Sequence, residues 1–375
     1  MRILVAGGGT GGHFYPALAM CEGLRKKYPE ARFVYIGTKT GIEARVLLDC
    51  EWIRFYPIMA SGFYRKNWKK NAIGFIHLLI GLLQTIFLFV RHRPQLVIGV
   101  GGYSSFCPVL VGALLGRVIP VQTAIHEQNV IGGLANRWLS RFVDLVMLSF
   151  PQSERSFPLA RKVTVTGNPI REEFLHVKRS PSLYRHFGLD QERRTILVFG
   201  GSKGSEEITE QVLRGKKAVA GNNDLQVLLI TGDAATEASI RAELDASDVR
   251  NIVVKGYVHE MGAAFAIADL VVCRAGATSL AEITSCGKAS MLVPWKEAAD
   301  DHQRKNAELM REERACTVAN DEVIARHGLV GAILDQMDDE LGLKCLAGNA
   351  KRMGQRNAES AILGGIGSLM REAGL

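Results

Sequence analysis

The chain has 375 residues, 47% hydrophobic and 22% charged, with a formal net charge of +8 and a sequence pI near 9.1. That balance excludes a disordered chain and a single small domain. It predicts two globular domains with anionic partners such as nucleotides or acidic lipid headgroups. Seven scattered cysteines (Cys21, Cys50, Cys107, Cys273, Cys286, Cys316 and Cys345) without a CxxC pair point away from disulfides and zinc and towards a reducing cytoplasm.

The run Ile3–Ala6 reads as a buried strand that breaks into Gly7-Gly8-Gly9-Thr10-Gly11-Gly12-His13. A helix is predicted over Ala17–Tyr28, with Pro16 near its start. The passage from Arg2 straight into a strand predicts no signal peptide. A glycine turn ahead of a helix N-terminus leaves backbone N–H groups for an anion such as a phosphate. Its spacing fits neither GxGxxG nor GxxxxGK[ST]. His13, a titratable imidazole at its lip, is a candidate general base.

Arg32–Gly37 is the next predicted strand, followed by a short helix over Gly41–Leu48 and a strand over Ile53–Ile58. Ile73–Val90 is apolar for roughly the length that spans a bilayer. Arg65, Lys66, Lys69 and Lys70 precede it, and Arg91, His92 and Arg93 follow. It reads as a spanning helix, as a core helix, or as a helix lying in one leaflet. The last is favoured, because a lone span would cut an α/β domain in two. Ile73, Phe75, Ile76, Leu79 and Leu83 would then enter the lipid, with Lys69 and Lys70 on anionic headgroups.

Gln95–Val100 is a buried strand running into a second glycine turn, Gly101-Gly102-Tyr103-Ser104-Ser105. A helix over Val109–Leu115 and a strand over Val118–His126 follow, the strand ending in Glu127-Gln128-Asn129. A helix over Leu134–Phe142 and strands over Leu145–Ser149 and Val163–Thr166 complete the first half. Gly167-Asn168-Pro169-Ile170-Arg171 breaks the pattern, and the turn-prone tract Lys178–Arg194 follows. The domain boundary falls between Val165 and Arg194.

The second half repeats the plan. Strands are predicted over Thr195–Phe199, Leu225–Thr231, Ile252–Val254, Leu270–Cys273 and Ala289–Val293. Helices are predicted from Glu206, over Met261–Ala268, through Glu282, over Ala299–Leu309 and through most of Leu329–Met370. Alternating strands and helices imply doubly wound parallel sheets, whose ligands bind beyond the strands' carboxyl ends. The polar clusters sit there: Thr10 and His13, Tyr103 and Ser104, His126 to Asn129, Ser202, Val258, Ala275 to Ser279 with Glu282, and Asp300 to Gln303. Glu282 either complements a helix dipole or accepts ribose hydroxyls. The adjacent acids Asp300 and Asp301 make a poor divalent-metal pair, because they point in different directions on a helix.

Seven stretches together resemble the MurG-type glycosyltransferases: GGGTGGHFYPA (7–17), GVGGYSS (99–105), HEQNVIGGLANRWL (126–139), GNPIRE (167–172), GGSKGS (200–205), CRAGATSLAEI (273–283) and DHQRKNA (301–307). The resemblance implies a GT-B α/β fold, two Rossmann-like domains facing a central cleft: an acceptor and membrane-associating domain over 1–166, a donor domain over 167–345, and helices over 346–375 returning to the first domain. It implies inverting, metal-independent transfer of N-acetylglucosamine from UDP-N-acetylglucosamine to lipid I, at the cytoplasmic face of the cell membrane. No cofactor, metal or nucleic acid is implied. Partners would be the two substrates, an anionic membrane surface and other cell-wall synthesis proteins.

By the same resemblance, Val258 would meet uracil, Glu282 the ribose, and Ser202 with Ala277, Thr278 and Ser279 the diphosphate. Asn129, Arg171 and Gln303 would contact donor phosphate or sugar. Thr10, Gly11 and Gly12 would approach the donor from the first domain. Gly9, Thr10, His13, Tyr103 and Ser104 would lie on the acceptor side. The catalytic base is His13 or Glu127, with His13 preferred for its neutral imidazole. Lys203, Ser205, Ala275 and His302 depart from the family's usual residues. The alternatives are a GT-B enzyme with another donor or acceptor, and a non-catalytic nucleotide-sugar or lipid-binding scaffold.

Overall fold

Strands that are apolar without alternation need cover on both faces, which parallel sheets with helical crossovers provide. The computed structural model describes residues 1–62 and 68–374, with the side chains of residues 68–70 outside the described part. The chain divides into two compact units, Met1–Ile170 with Asn357–Leu375, and Arg171–Arg356.

The first unit runs β1 (Arg2–Ala6), α1 (Gly11–Lys27), β2 (Arg32–Gly37), α2 (Ile42–Val46), β3 (Ile53–Pro57), α3 (Trp68–His92), β4 (Leu96–Gly99), α4 (Tyr103–Leu115), β5 (Gln122–Glu127), α5 (Leu134–Leu139), β6 (Leu145–Leu148) and β7 (Val163–Val165). Its parallel seven-stranded sheet has the order β3-β2-β1-β4-β5-β6-β7. The order reverses beside β1, which puts the switch point of this sheet between the ends of β1 and β4.

The second unit runs α6 (Glu173–His176), α7 (Pro181–Phe187), β8 (Arg194–Phe199), α8 (Glu206–Arg214), α9 (Lys216–Ala220), β9 (Leu225–Ile230), α10 (Ala234–Ala246), β10 (Ile252–Lys255), α11 (Met261–Ile267), β11 (Leu270–Cys273), α12 (Ala277–Cys286), β12 (Ala289–Leu292), α13 (His302–Glu312), β13 (Thr317–Val318), α14 (Asp321–Asp338) and α15 (Glu340–Met353). Its six-stranded sheet, β10-β9-β8-β11-β12-β13, repeats the same winding. The last helix, α16 (Ala358–Glu372), belongs to the first unit.

Four differences from the sequence reading have local causes. α1 starts at Gly11, because the N–H groups of His13 and Phe14 close the first turn on the Thr10 carbonyl. Pro16 therefore lies inside the helix. Val118 and Ile119 bond back to the Leu115 carbonyl, so β5 starts only at Gln122. The tract 178–194 contains α7, which buries Tyr184 and Phe187 and ends on Gly188 in the left-handed conformation. Of residues 346–375, α15 packs on α12 within the second unit, and only Asn357 onward joins the first.

α1 and α16 pack face to face in the first unit. Phe14, Ala17, Cys21 and Leu24 on one, and Ile362, Ile366 and Leu369 on the other, follow helical spacing and share one core. Lys27 Nζ donates to the Leu363 carbonyl at 3.0 Å.

α3 is the crossover between β3 and β4 of a single sheet, so it lies along that sheet. Its stretch Asn71–His92, of mean hydropathy 2.3, is by length and composition able to cross a membrane, but it packs one side on α4. Thr85, Leu88 and Phe89 are buried, whereas Phe75, Ile76, Leu79, Leu83, Ile86, Phe87 and Val90 form an exposed stripe with Ile73. Arg65 and Lys66, and the side chains of Lys69 and Lys70, lie outside the described residues.

Candidate active site

In the first unit the glycine turn after β1 is occupied from within. Gly7 N–H donates to the Ile36 carbonyl at 3.1 Å, and Gly9 N–H to Glu43 Oε2 at 2.8 Å. Glu43 is fully buried, and its Oε1 also accepts from Thr38 N–H and Oγ1 at 2.8 and 2.9 Å. A Cβ on Gly41 would sit 2.2 Å from that carboxylate. The N–H groups of Gly7 and Gly9 are therefore spent on a strand carbonyl and an internal carboxylate, so these two are not left open to an anion. Glu43 was missed, because only the fold brings it under Gly9.

His13 stands in the first turn of α1, against Gly101. A Cβ at Gly101 would come 3.0 Å from the His13 ring, and its φ of +87° suits only glycine. His13 Nδ1 lies 3.0 Å from Gln128 Oε1. Gln128 is buried, and its Nε2 donates to the Val100 carbonyl at 3.0 Å and the His126 carbonyl at 3.2 Å. It also lies 3.0 Å from His126 Nδ1, while His126 Nε2 lies 2.9 Å from the Gly167 carbonyl. Burial pulls the His126 pKa down to about 4, so this imidazole is neutral.

Glu127 points the other way. Its Oε1 accepts from Asn129 N–H at 3.0 Å and Asn129 Nδ2 at 3.1 Å. Its Oε2 accepts from Gly133 N–H and Asn136 Nδ2, each at 2.9 Å. A buried carboxylate accepting four N–H bonds orders the loop from 129 to 136. The two base candidates thus face different surroundings, and Asn129 has a structural partner in Glu127. Thr10 is exposed at the N-cap of α1, Tyr103 is exposed at the start of α4, and Ser104 is buried behind it.

In the second unit the structure brings together two predicted residues, Arg171 and Glu282, with an unpredicted third, Glu173. Arg171 Nη1 lies 2.8 Å from Glu173 Oε1 and donates to the His259 carbonyl at 3.1 Å. Arg171 Nη2 lies 3.6 Å from Glu282 Oε1. Burial pushes the Glu282 pKa up to about 7 against the pull of Arg171, with Glu173 adding to the rise. Val258 and Thr278 are buried, and Ser202 and Ser279 half-buried. The N-cap of α12 is Gly276, which brings no side-chain acceptor to the turn of Ala277, Thr278 and Ser279.

Gln303 Oε1 accepts from Trp295 N–H at 2.9 Å. Asp301 is paired with Arg304, and among the described residues no group of three His, Cys, Asp or Glu side chains could hold a metal. Lys203 is exposed, whereas Ser205 caps α8 and accepts from Arg274 Nη2 at 2.8 Å. Ala275 is fully buried, its carbonyl accepting from Asn306 Nδ2 at 3.0 Å. His302 Nδ1 bonds the Ala299 carbonyl at 2.6 Å. None of these four departures from the family pattern alters the Arg171–Glu282 pair.

Residues 3–148 match the glycosyltransferase family 28 N-terminal domain, and residues 195–362 match the glycosyltransferase family 28 C-terminal domain. The chain belongs to glycosyltransferase family 28. Two of its curated relatives bear the name UDP-N-acetylglucosamine–N-acetylmuramyl-(pentapeptide) pyrophosphoryl-undecaprenol N-acetylglucosamine transferase. The one from Desulforamulus reducens is 36% identical over 97% of both chains. The one from Geobacter sp. is 38% identical over 97% of this chain and 95% of its own. MurG of Acinetobacter baumannii, a solved structure, superposes with a TM-score of 0.74 at 26% identity over 98% of this chain and 99% of that one. The UDP-GlcNAc 2-epimerase of Neisseria meningitidis, 12% identical with a TM-score of 0.68 over 98% of this chain and 100% of that one, shares the fold. The family 28 frame is thus the α/β GT-B fold, with a Rossmann-like sheet in each unit. The stretch 149–194, with Arg171 and α7, lies between the two matched domains.

Proposed function

We propose that the chain transfers N-acetylglucosamine from UDP-N-acetylglucosamine to lipid I, the undecaprenyl-pyrophosphoryl-muramoyl-pentapeptide, and so makes lipid II for peptidoglycan. The observation that carries this reading is identity of 34–38% to relatives named for that transfer, along essentially the whole chain.

In this reading the second unit holds the donor. Glu282, when ionised, accepts the ribose hydroxyls, and the first turn of α12 with Ser202 faces the diphosphate. Val258 lines the uracil, and Gln303 and Arg171 reach the sugar and phosphate. Gly9, Thr10, Tyr103 and Ser104 receive the acceptor. His13 Nε2 takes the proton of the acceptor hydroxyl, whose oxygen bonds to C1 of the sugar. The bond from C1 to the diphosphate oxygen breaks, and UDP leaves with the electron pair. One displacement inverts C1. Helix dipoles and Arg171 supply the positive potential, so the transfer needs no metal.

The enzyme would work at the cytoplasmic face of the membrane as a peripheral protein, with the bare stripe of α3 in one leaflet. Arg2, Arg32, Arg54, Arg91 and Arg93 line a cleft of about 760 Å³ that includes the end of α3, which suits anionic headgroups.

One assay tests the transfer: UDP-N-acetylglucosamine with a short-chain lipid I analogue, in the presence of chelator. Disaccharide product is expected. Product from another donor or acceptor alone would favour a different GT-B transferase, and dependence on added metal would overturn the metal-free reading.

A further inference from the structure

The motif HEQN sits where β5 ends, and its side chains alternate. In an extended segment residues two apart share a face. His126 and Gln128 therefore turn towards Gly167 and His13, while Glu127 turns to the loop at Gly133 and Asn136.

Resting on the assignment of His13 as base, we propose that a relay from the Gly167 carbonyl through His126 and Gln128 holds His13 as the Nδ1–H tautomer, placing its basic lone pair on Nε2. Gln128 and His126 are then positioning residues.

The relay is read from its fixed end. A backbone carbonyl can only accept, so His126 Nε2, 2.9 Å from the Gly167 carbonyl, carries the hydrogen. His126 is neutral, so its Nδ1 holds a lone pair and accepts from Gln128 Nε2 at 3.0 Å. The amide of Gln128 has one workable orientation. Its Nε2 faces the Val100 carbonyl, the His126 carbonyl and His126 Nδ1, all acceptors. A flip would set Oε1 against all three. Oε1 is thereby turned to His13, and since it too can only accept, His13 Nδ1 is the donor at 3.0 Å.

The consequence is chemical. A neutral imidazole has one lone pair, and histidine in water prefers to keep its hydrogen on Nε2. The relay reverses that preference, so that Nε2 can take a proton. Because the partner of Nδ1 is a neutral amide and not a carboxylate, that hydrogen bond stabilises the imidazolium less than an ion pair would.

The test reads the tautomer directly. In intact protein labelled with ¹⁵N-histidine, two-bond ¹H–¹⁵N correlations at neutral pH are expected to give His13 as Nδ1–H with unprotonated Nε2. An Nε2–H signal in the wild type overturns the proposal without any variant. Gln128→Leu is expected to shift His13 to Nε2–H and lower kcat by about 10- to 100-fold, with the KM for UDP-N-acetylglucosamine nearly unchanged. Wild-type kcat in Gln128→Leu, alongside an inactive His13→Ala, overturns the relay alone. Full turnover in His13→Ala removes the base assignment, whatever the tautomer.

Discussion

The Glu282 carboxylate and the Arg171 guanidinium face each other at 3.6 Å inside the second unit, yet burial still raises the Glu282 pKa to about 7. A buried acid whose folded pKa lies above its unfolded value stabilises the protein at low pH and loses that contribution as pH rises through about 7. Glu282→Gln removes the penalty of ionising it. Unliganded Glu282→Gln is expected to melt at the wild-type temperature near pH 4.5 and a few degrees higher at pH 8, the upper bound being about 3 kcal/mol. Equal melting curves at pH 8 would show that Glu282 is not perturbed.

In the proposed donor site the same carboxylate would bind ribose hydroxyls best when ionised. UDP affinity in the wild type should therefore weaken as pH falls below about 7, by at most about tenfold per unit. Glu282→Gln should bind weakly with no pH dependence of this kind. Calorimetric titration at several pH values checks this, and a flat wild-type profile would remove Glu282 from the donor site.

His13→Ala is expected to lower turnover by about 10²- to 10⁴-fold while UDP-sugar binding stays measurable. Glu127→Gln should act differently. It replaces one accepting oxygen by a donor that faces Asn129 or Gly133 and Asn136, so it should cost roughly 1–3 kcal/mol of stability. Urea unfolding beside kinetics separates the two effects. Loss of turnover in Glu127→Gln at unchanged stability would return Glu127 to the chemistry.

Glu43→Ala leaves the N–H groups of Gly9 and Thr38 without their carboxylate and opens a hole beside Gly41. A loss of roughly 2–4 kcal/mol is expected, with slower turnover because the Gly9 turn leads into the helix that carries His13. A wild-type denaturation midpoint would contradict the role given to Glu43.

Leu83 and Phe87 are 68% and 65% exposed, so changing both to serine should leave stability within about 0.5 kcal/mol. Attachment to anionic liposomes should weaken at least tenfold, since each large apolar side chain is worth about 1.5–3 kcal/mol when buried in an apolar phase. Rising salt should weaken wild-type attachment as well. Salt-resistant binding to neutral vesicles would remove the headgroup contribution.

Much of the fold was legible because buried parallel strands announce themselves: Arg32–Gly37 and Leu270–Cys273 have the same bounds by pattern and by structure. α7 was not legible, since Tyr184 and Phe187 give a single apolar turn inside a charged tract. β13 has two residues, too few for any period. In the candidate site, residue types told which side chains could do chemistry but not which were already engaged. His13 is preferred to Glu127 in the sequence for its neutral imidazole alone, and the N–H groups around Glu127 come into view only in the fold. Glu43 is one acid in a short amphipathic stretch until the fold sets it under Gly9.

α16 supplies Ile362, Ile366, Leu369 and Met370 to a core whose other buried members lie between Ile3 and Met147. A ribosome therefore delivers the first sheet early, but the helix that covers α1 only after the whole second unit has been made. In the interval the side of α1 that packs on α16 stands bare, an adhesive surface on a nascent chain. The second unit, continuous from Arg171 to Arg356, has no such debt. The part of the protein that begins first is finished last.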